Sequence, residues 1–143
     1  MAKTKHDYQH RHYQLLVRNA LITKNTADDR HFQLRNGKYH KSYFTLEVLD
    51  PIEFAYLNSD SIEYAIVPMV LNGGGTGDFY SINIFAKQND TAHQITFTEI
   101  GDRIQIDSIR INRNNISVFI IEREGTSNAL HFLFRNDSLV TVN

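Results

Sequence analysis

The sequence predicts a mainly β fold: an antiparallel meander sheet, curved or barrel-like, with a short N-terminal helix. From about Phe32 onward, short runs of alternating apolar residues are separated by turn residues, with no βαβ rhythm. Asn36-Gly37 lies between two such runs and predicts a type I′ hairpin turn, because both residues tolerate a positive φ. Residues 62–71, IEYAIVPMVL, are apolar on both faces, as in a central strand covered on both sides.

The length of the chain, 143 residues, suits one domain with a core of its own. Residues 1–12 are polar and carry three histidines, so we expect a flexible N-terminal segment there. We expect residues 13–143 to form a single β-rich domain, because no linker, repeat or low-complexity tract divides them.

A short amphipathic helix is predicted for residues 13–22, YQLLVRNALI. Its apolar positions recur at helical spacing and define one face: Tyr13, Leu16, Val17, Ala20 and Leu21.

The strand predictions follow the alternation of apolar residues. The second arm of the hairpin is expected to continue without a break to Val48. Pro68 has no N–H for a ladder, which predicts a bulge or a local edge. The alternation changes phase at Asp107-Ser108, which predicts a β-bulge, and Gly101-Asp102 is expected to form a turn. The predicted core is Leu16, Phe44, Leu46, Ile66, Val70, Ile82, Ile84, Phe97, Ile106, Ile109, Val118, Ile120 and Phe132.

Composition excludes several classes of function. The absence of cysteine excludes disulfides, thiolate metal sites and cysteine nucleophiles. With 15 basic and 16 acidic residues there is no overall basic bias, so nucleic acid is not an expected partner. No apolar run reaches the ~20 residues of a membrane helix, and no signal peptide is visible at the start.

The glycine-rich stretch VLNGGGTGDFY, residues 70–80, does not match a phosphate-binding loop. A Walker A loop needs Lys and Ser or Thr after its last glycine, and a dinucleotide fingerprint needs a helix next. Here Asp78 and Phe79 follow Gly77, and a strand comes next. We therefore expect a connection between strands whose glycines leave room for a ligand or partner to approach the backbone.

Metal and catalytic motifs are weak. His6 and His10 have the i, i+4 spacing of a helical chelate, and Asn58, Asp60 and Glu63 resemble part of a calcium loop that lacks its central glycine. We predict no metal and no cofactor. No G-x-S-x-G nucleophile elbow is present, although a triad can assemble in space.

Four stretches together resemble a family of bacterial extracytoplasmic proteins, many of them lipoprotein-like: RNALI, FQLRNGKY, YLNSDSIEYAIVPMVLNGGGTGDFYSINIF and EIGDRIQIDSIRI. The resemblance spans residues 17–121 and is most specific in the G-G-S/T-G-x-F loop and the G-D-R turn with its S-I-x-I strand. The chain departs from the family pattern at Tyr56, Ser59 and Ser61, which replace an acid and two glycines, and in its lack of cysteines and of a lipobox. The resemblance implies a periplasmic or envelope location after removal of a signal peptide, and implies no enzymatic activity.

The sequence thus favours a non-catalytic, extracytoplasmic accessory or binding domain. The alternatives are a hydrolase acting on an envelope component and a secreted protein-interaction module. The expected partner is a protein or an envelope component, and a homodimer formed by strand pairing is also open. Turns on a rigid sheet commonly carry binding residues, so the predicted ligand-binding residues are Gly75, Asp78, Tyr80, Asp102 and Arg103.

Overall fold

The computed structural model describes residues 5–25, 31–58 and 61–142. The fold is mainly β and antiparallel with one N-terminal helix, which confirms the predicted fold class. The elements are α1 (Lys5–Arg18), β1 (Leu21–Ile22), β2 (Phe32–Gln33), β3 (Lys38–Lys41), β4 (Phe44–Val48), β5 (Glu53–Ala55), β6 (Tyr64–Asn72), β7 (Phe79–Gln88), β8 (Thr91–Asp102), β9 (Gln105–Asn112), β10 (Asn115–Ile121), β11 (Ser127–Arg135) and β12 (Ser138–Thr141).

Three antiparallel sheets organise the described strands. The largest has the order β3-β4-β6-β7-β8, with β5 also paired to β6. A second sheet has the order β12-β11-β10-β9, and β1 pairs with β2 in a third. These sheets do not close into a barrel.

Apolar residues form two cores, one on each face of the six-stranded sheet. The first core joins α1 and the β1-β2 pair to one face, through residues such as Val17, Leu34 and Phe85. The second joins the opposite face to the four-stranded sheet, through residues such as Ile84 and Phe134. The single β-rich domain is therefore layered, with the six-stranded sheet in the middle.

Strand β6 is central because both of its faces are covered, as its unbroken apolar run predicts. Ala65 and Val67 belong to the first core, and Ile66 belongs to the second. Pro68 pairs with β7, and its carbonyl accepts a hydrogen bond from Leu49 N at 2.8 Å. On the other side of β6, residues 69–72 pair with β4 and residues 64–66 pair with β5. Pro68 lies in the gap between these two partner strands, which is the expected local edge.

The helix lies further toward the N-terminus than the sequence predicts. It begins at Lys5, so residues 5–12 are helical, and it ends at Arg18. Tyr13 and Val17 are buried, whereas Leu21 is exposed in strand β1 rather than placed on the helical face. The Tyr13 hydroxyl donates to Glu63 O at 2.9 Å and to Phe85 O at 3.1 Å, which fixes the helix on the sheet. Within the described part of the chain, no helix is long and apolar enough to cross a membrane.

The predicted tight turn is present: Asn36 and Gly37 both have positive φ, 52° and 82°, between the bridged residues Arg35 and Lys38. The flanking strands do not form the expected hairpin ladder, because β2 pairs with β1 and β3 pairs with β4. The prediction of an unbroken second arm is wrong. A second tight turn divides this arm into β3 and β4, with Ser42 at a φ of 56°. This turn projects Tyr43 from the sheet.

Two details of the later strands also differ from a simple alternation. The β9-β10 register passes from Ser108 to Ile106 and leaves out Asp107, which confirms the bulge. Gly101-Asp102 belongs to the end of β8, and the chain turns one step later at Arg103, whose φ is 53°. Strand β12 was not predicted.

Most of the predicted core is buried. Eight of its residues are buried, namely Leu46, Ile66, Ile82, Ile84, Ile109, Val118, Ile120 and Phe132. The others are partly exposed: Leu16, Phe44, Val70, Phe97 and Ile106. Phe44 lies at the margin of the first core, beside the groove described below.

Candidate functional site

One end of the six-stranded sheet combines a row of side chains with three connecting loops. The pairings Tyr39↔Leu46, Leu46↔Leu71, Leu71↔Phe79 and Phe79↔Asp102 cross five strands in a single line. Directly paired residues lie on the same face of an antiparallel sheet. This row therefore forms a floor next to the β3-β4 turn, the glycine-rich loop and the β8-β9 turn.

The glycine-rich loop provides space for two aromatic rings. A Cβ atom added at Gly74 would lie 2.9 Å from Cγ of Tyr43, and Gly74 has a φ of +93°. A Cβ atom at Gly77 would lie 2.8 Å from Cζ of Phe79. Atoms at these separations overlap, so each glycine admits a ring that a larger residue would displace. The loop thus leaves room for the Tyr43 and Phe79 rings to lie against it, and both rings remain exposed, at 73% and 38%.

A groove with a volume of about 660 Å³ opens beside these rings. Ligand sites commonly have volumes of roughly 300–1,000 Å³, so a small organic molecule fits. The described lining residues come from β2, from the β3-β4 hairpin and from both sides of the glycine-rich loop: His31, Phe32, Tyr39, Lys41, Ser42, Tyr43, Phe44, Leu71, Gly73 and Phe79.

Three rings at one side of the groove pack against each other. The rings of Phe32 and Phe44 are stacked with their centroids 4.9 Å apart, and Tyr39 is tilted against Phe32 at 5.0 Å. These separations are typical of favourable aromatic pairs. The cluster is anchored in the first core by Phe32, which is buried, so this side of the groove is formed without a ligand.

Three of the predicted site residues meet behind the loop. Asp78 N donates to Asp102 Oδ1 at 2.8 Å, and Arg103 N donates to Asp78 O at 2.7 Å. The Arg103 guanidinium contacts the second oxygen of Asp102 at 3.0 Å. Asn72 Nδ2 donates to Asp78 Oδ1 at 2.6 Å. These groups bind one another and tie the glycine-rich loop to the β8-β9 turn.

The other two predicted residues lie on either side of this network. Tyr80 on β7 pairs with Gly101 on β8, next to the network. Burial, and then the nearby charge of Asp78, raises the pKa of the Tyr80 hydroxyl. Gly75 is at the exposed tip of the loop, where an added Cβ would meet no atom within 4 Å. None of the five predicted residues is a described lining residue of the groove.

The described lining of the groove carries positive charge. Lys41 and His31 line it, and the described lining includes no carboxylate. Within the described chain, Lys41 makes no ion pair, whereas Lys38 on the same strand lies 3.8 Å from Glu47. The two acids among the predicted site residues, Asp78 and Asp102, already accept hydrogen bonds in the network behind the loop. Among the described lining residues, the Lys41 ammonium is therefore the charged group that a ligand would meet.

A buried amide pair supports the sheet beside the floor. Gln94 Oε1 accepts hydrogen bonds from the backbone N–H groups of Thr23 and Lys24 at 3.0 and 2.8 Å. Gln94 Nε2 donates to Lys24 O and to Asn83 Oδ1, both at 2.8 Å. These bonds dock the segment that follows β1 onto the face of the sheet that carries the groove.

The histidine and calcium motifs do not form a metal site among the described residues. His10 stacks on Phe54 with centroids 4.1 Å apart, and its Nε2 lies 3.0 Å from Glu63 Oε2. Asn58 donates to the Tyr64 hydroxyl at 3.0 Å. The side chain of His6 and the whole of Asp60 lie outside the described residues.

Sequence reasoning did not identify the residues that line the groove. The available signal was a cluster of aromatic residues at turns: Tyr43 and Phe44 follow Ser42, and Phe79 follows the last glycine of the loop. These segments come together only because of the β3-β4 turn, and the alternation of apolar and polar residues does not predict that turn.

Comparison with family models, with curated proteins and with solved structures finds no match to this chain.

Proposed function

We propose that the protein is a non-catalytic binding domain of the bacterial cell envelope, and that the aromatic groove is its ligand site. The observation that carries this proposal is that two exposed rings, Tyr43 and Phe79, lie against Gly74 and Gly77 and line the same groove. Exposed aromatic rings supply large contact areas at low cost in conformational entropy. The envelope location rests on the resemblance described for the sequence.

The arrangement of the acids supports binding rather than hydrolysis. Asp78 and Asp102 hold backbone N–H and side-chain groups of the loop and turn, and neither is a described lining residue of the groove. A general acid or base must reach the reacting atom within hydrogen-bonding distance. Their contacts therefore suit a role in positioning the loop.

The edge strand beside the groove bears on the proposed protein partner. Strand β3 ends the six-stranded sheet and carries Lys38 and Lys41 at its two ends. Lysines on an edge strand oppose pairing with another chain. A ligand in the groove is therefore better supported than a homodimer formed through β3.

The proposal is tested by a thermal-shift screen against metals, nucleotides, sugars, peptidoglycan fragments and lipids. A ligand that binds only the folded protein stabilises it by about 2.7 kcal/mol at ~100 times its dissociation constant. The expected result is a saturable shift that Tyr43→Ala and Phe79→Ala abolish.

Tyr8→Ala is the matched control, because Tyr8 is an exposed tyrosine on α1 outside the groove. If a ligand binds both groove variants as tightly as it binds the wild type, its binding site lies outside the groove. A flat screen argues against a small-molecule ligand. Fractionation of cells that express the complete gene tests the envelope location, and recovery from the cytoplasm contradicts it.

A further inference from the structure

The rings around the groove present flat apolar surfaces to a ligand. The Phe32, Tyr39 and Phe44 cluster is held by its own ring contacts. Tyr43 and Phe79 lie against Gly74 and Gly77 of the glycine-rich loop, and much of each ring remains exposed. A planar ligand ring gains contact area against such surfaces without requiring them to rearrange.

The polar groups of the groove are few and are biased toward donors. The described lining offers the Lys41 ammonium, the His31 imidazole and the hydroxyls of Ser42, Tyr39 and Tyr43. It includes no carboxylate or side-chain amide, the groups that pair with several hydroxyls of a neutral sugar at once. A cation without an ion pair within the described chain instead complements an anion.

Resting on the proposed function, we infer that the groove selects a small organic anion that carries a flat aromatic ring. The ring stacks on Tyr43 and Phe79, and the anionic group meets the ammonium of Lys41. The volume of about 660 Å³ accommodates a fused two-ring acid.

Three probes separate the contributions of charge and of planarity: 2-naphthoate, 2-naphthamide and decahydro-2-naphthoate. The amide removes the charge and keeps the ring, and the saturated acid keeps the charge and removes the planar face. Binding is measured by NMR titration of the whole chain. We expect 2-naphthoate to bind about two- to fivefold more tightly than either analogue, since roughly 0.5–1 kcal/mol is typical of an exposed charge pair or an aromatic contact.

Lys41→Gln and Lys38→Gln form a matched pair of variants on one strand. Lys41→Gln is expected to reduce the affinity for 2-naphthoate to the level of 2-naphthamide. Lys38→Gln is expected to leave the affinity unchanged, because Lys38 is paired with Glu47 and is not a described lining residue. Both side chains are exposed, so neither substitution threatens folding.

The outcomes distinguish this inference from the proposed function. If 2-naphthamide binds as tightly as the acid, or Lys38→Gln weakens binding as much as Lys41→Gln, selection for an anion is wrong. If the saturated acid binds as tightly, selection for a flat ring is wrong. Absence of binding by all three probes up to their solubility overturns the inference as a whole. In each case the broad screen with Tyr43→Ala and Phe79→Ala still decides whether the groove binds any ligand.

Discussion

The ring of Tyr43 lies so close to Gly74 that no side chain larger than hydrogen fits between them. Strands β4, β5 and β6 separate these residues in the sequence, and the residues meet because β4 pairs directly with β6. The contact gives a structural reason for one glycine of the cluster at residues 73–77, namely Gly74. It also links the shape of the groove to the conformation of the loop.

The first prediction concerns the glycines of this loop. Gly74→Ala should lower the free energy of unfolding by about 1–3 kcal/mol, because a Cβ there overlaps the Tyr43 ring and φ is +93°. Gly75→Ala should change it by no more than about 0.5 kcal/mol, because an added Cβ meets no atom within 4 Å. Urea unfolding of both variants measures the difference. Equal effects would contradict the contact between Tyr43 and Gly74.

The second prediction concerns the network behind the loop. Asp102→Ala should destabilise the protein by about 1–2 kcal/mol, because the N–H of Asp78 loses its acceptor. Asp102→Asn should cost less, since an amide oxygen can still accept that hydrogen bond.

Hydrogen exchange of the Asp78 amide provides a local measurement, and it should accelerate in Asp102→Ala. The exposed Asp107→Ala is the control, with an effect within about 0.5 kcal/mol. Unchanged exchange at Asp78 would show that Asp102 does not hold the loop.

The third prediction concerns the buried amide pair. Gln94 is 7% exposed, and its side-chain amide makes hydrogen bonds both to Asn83 and to the backbone of the segment after β1. Gln94→Leu should destabilise the protein by about 2–3 kcal/mol, because it leaves buried donors and acceptors without partners. Gln88→Leu on the neighbouring strand is the exposed control. Comparable stability of the two variants in urea would refute the role of Gln94.

The fourth prediction concerns alkaline pH. Burial, and then the charge of Glu63, raises the pKa of Tyr13 well above its usual value. The folded state therefore favours the neutral phenol, and this contribution is fully present below the unfolded pKa of about 10. Above that pH it declines by about 1.4 kcal/mol per pH unit until the folded pKa is reached.

Tyr13→Phe should remove this part of the pH dependence, at a cost near neutral pH of about 1–2 kcal/mol for the lost hydrogen bonds. The test is urea unfolding of wild type and variant on both sides of pH ~10. A difference in stability that does not shrink as the pH rises would contradict the assignment to Tyr13.

The local features of the sequence determined several of the elements and turns. Asn36-Gly37 set a tight turn because few other pairs tolerate positive φ at both positions. The phase change at Asp107 marked a bulge because the side-chain period of a strand is two residues. The apolar run of β6 indicated burial on both faces.

Only the tertiary structure decided where the groove lies. Tyr43 and Phe79 are far apart in sequence, and they line one groove because the β3-β4 turn and the glycine-rich loop occur at the same end of one sheet. The predicted residues Asp78, Asp102 and Arg103 do meet, and their polar groups bind one another behind that loop. Periodicity records which face of a strand is buried, whereas strand order and register determine which loops come together.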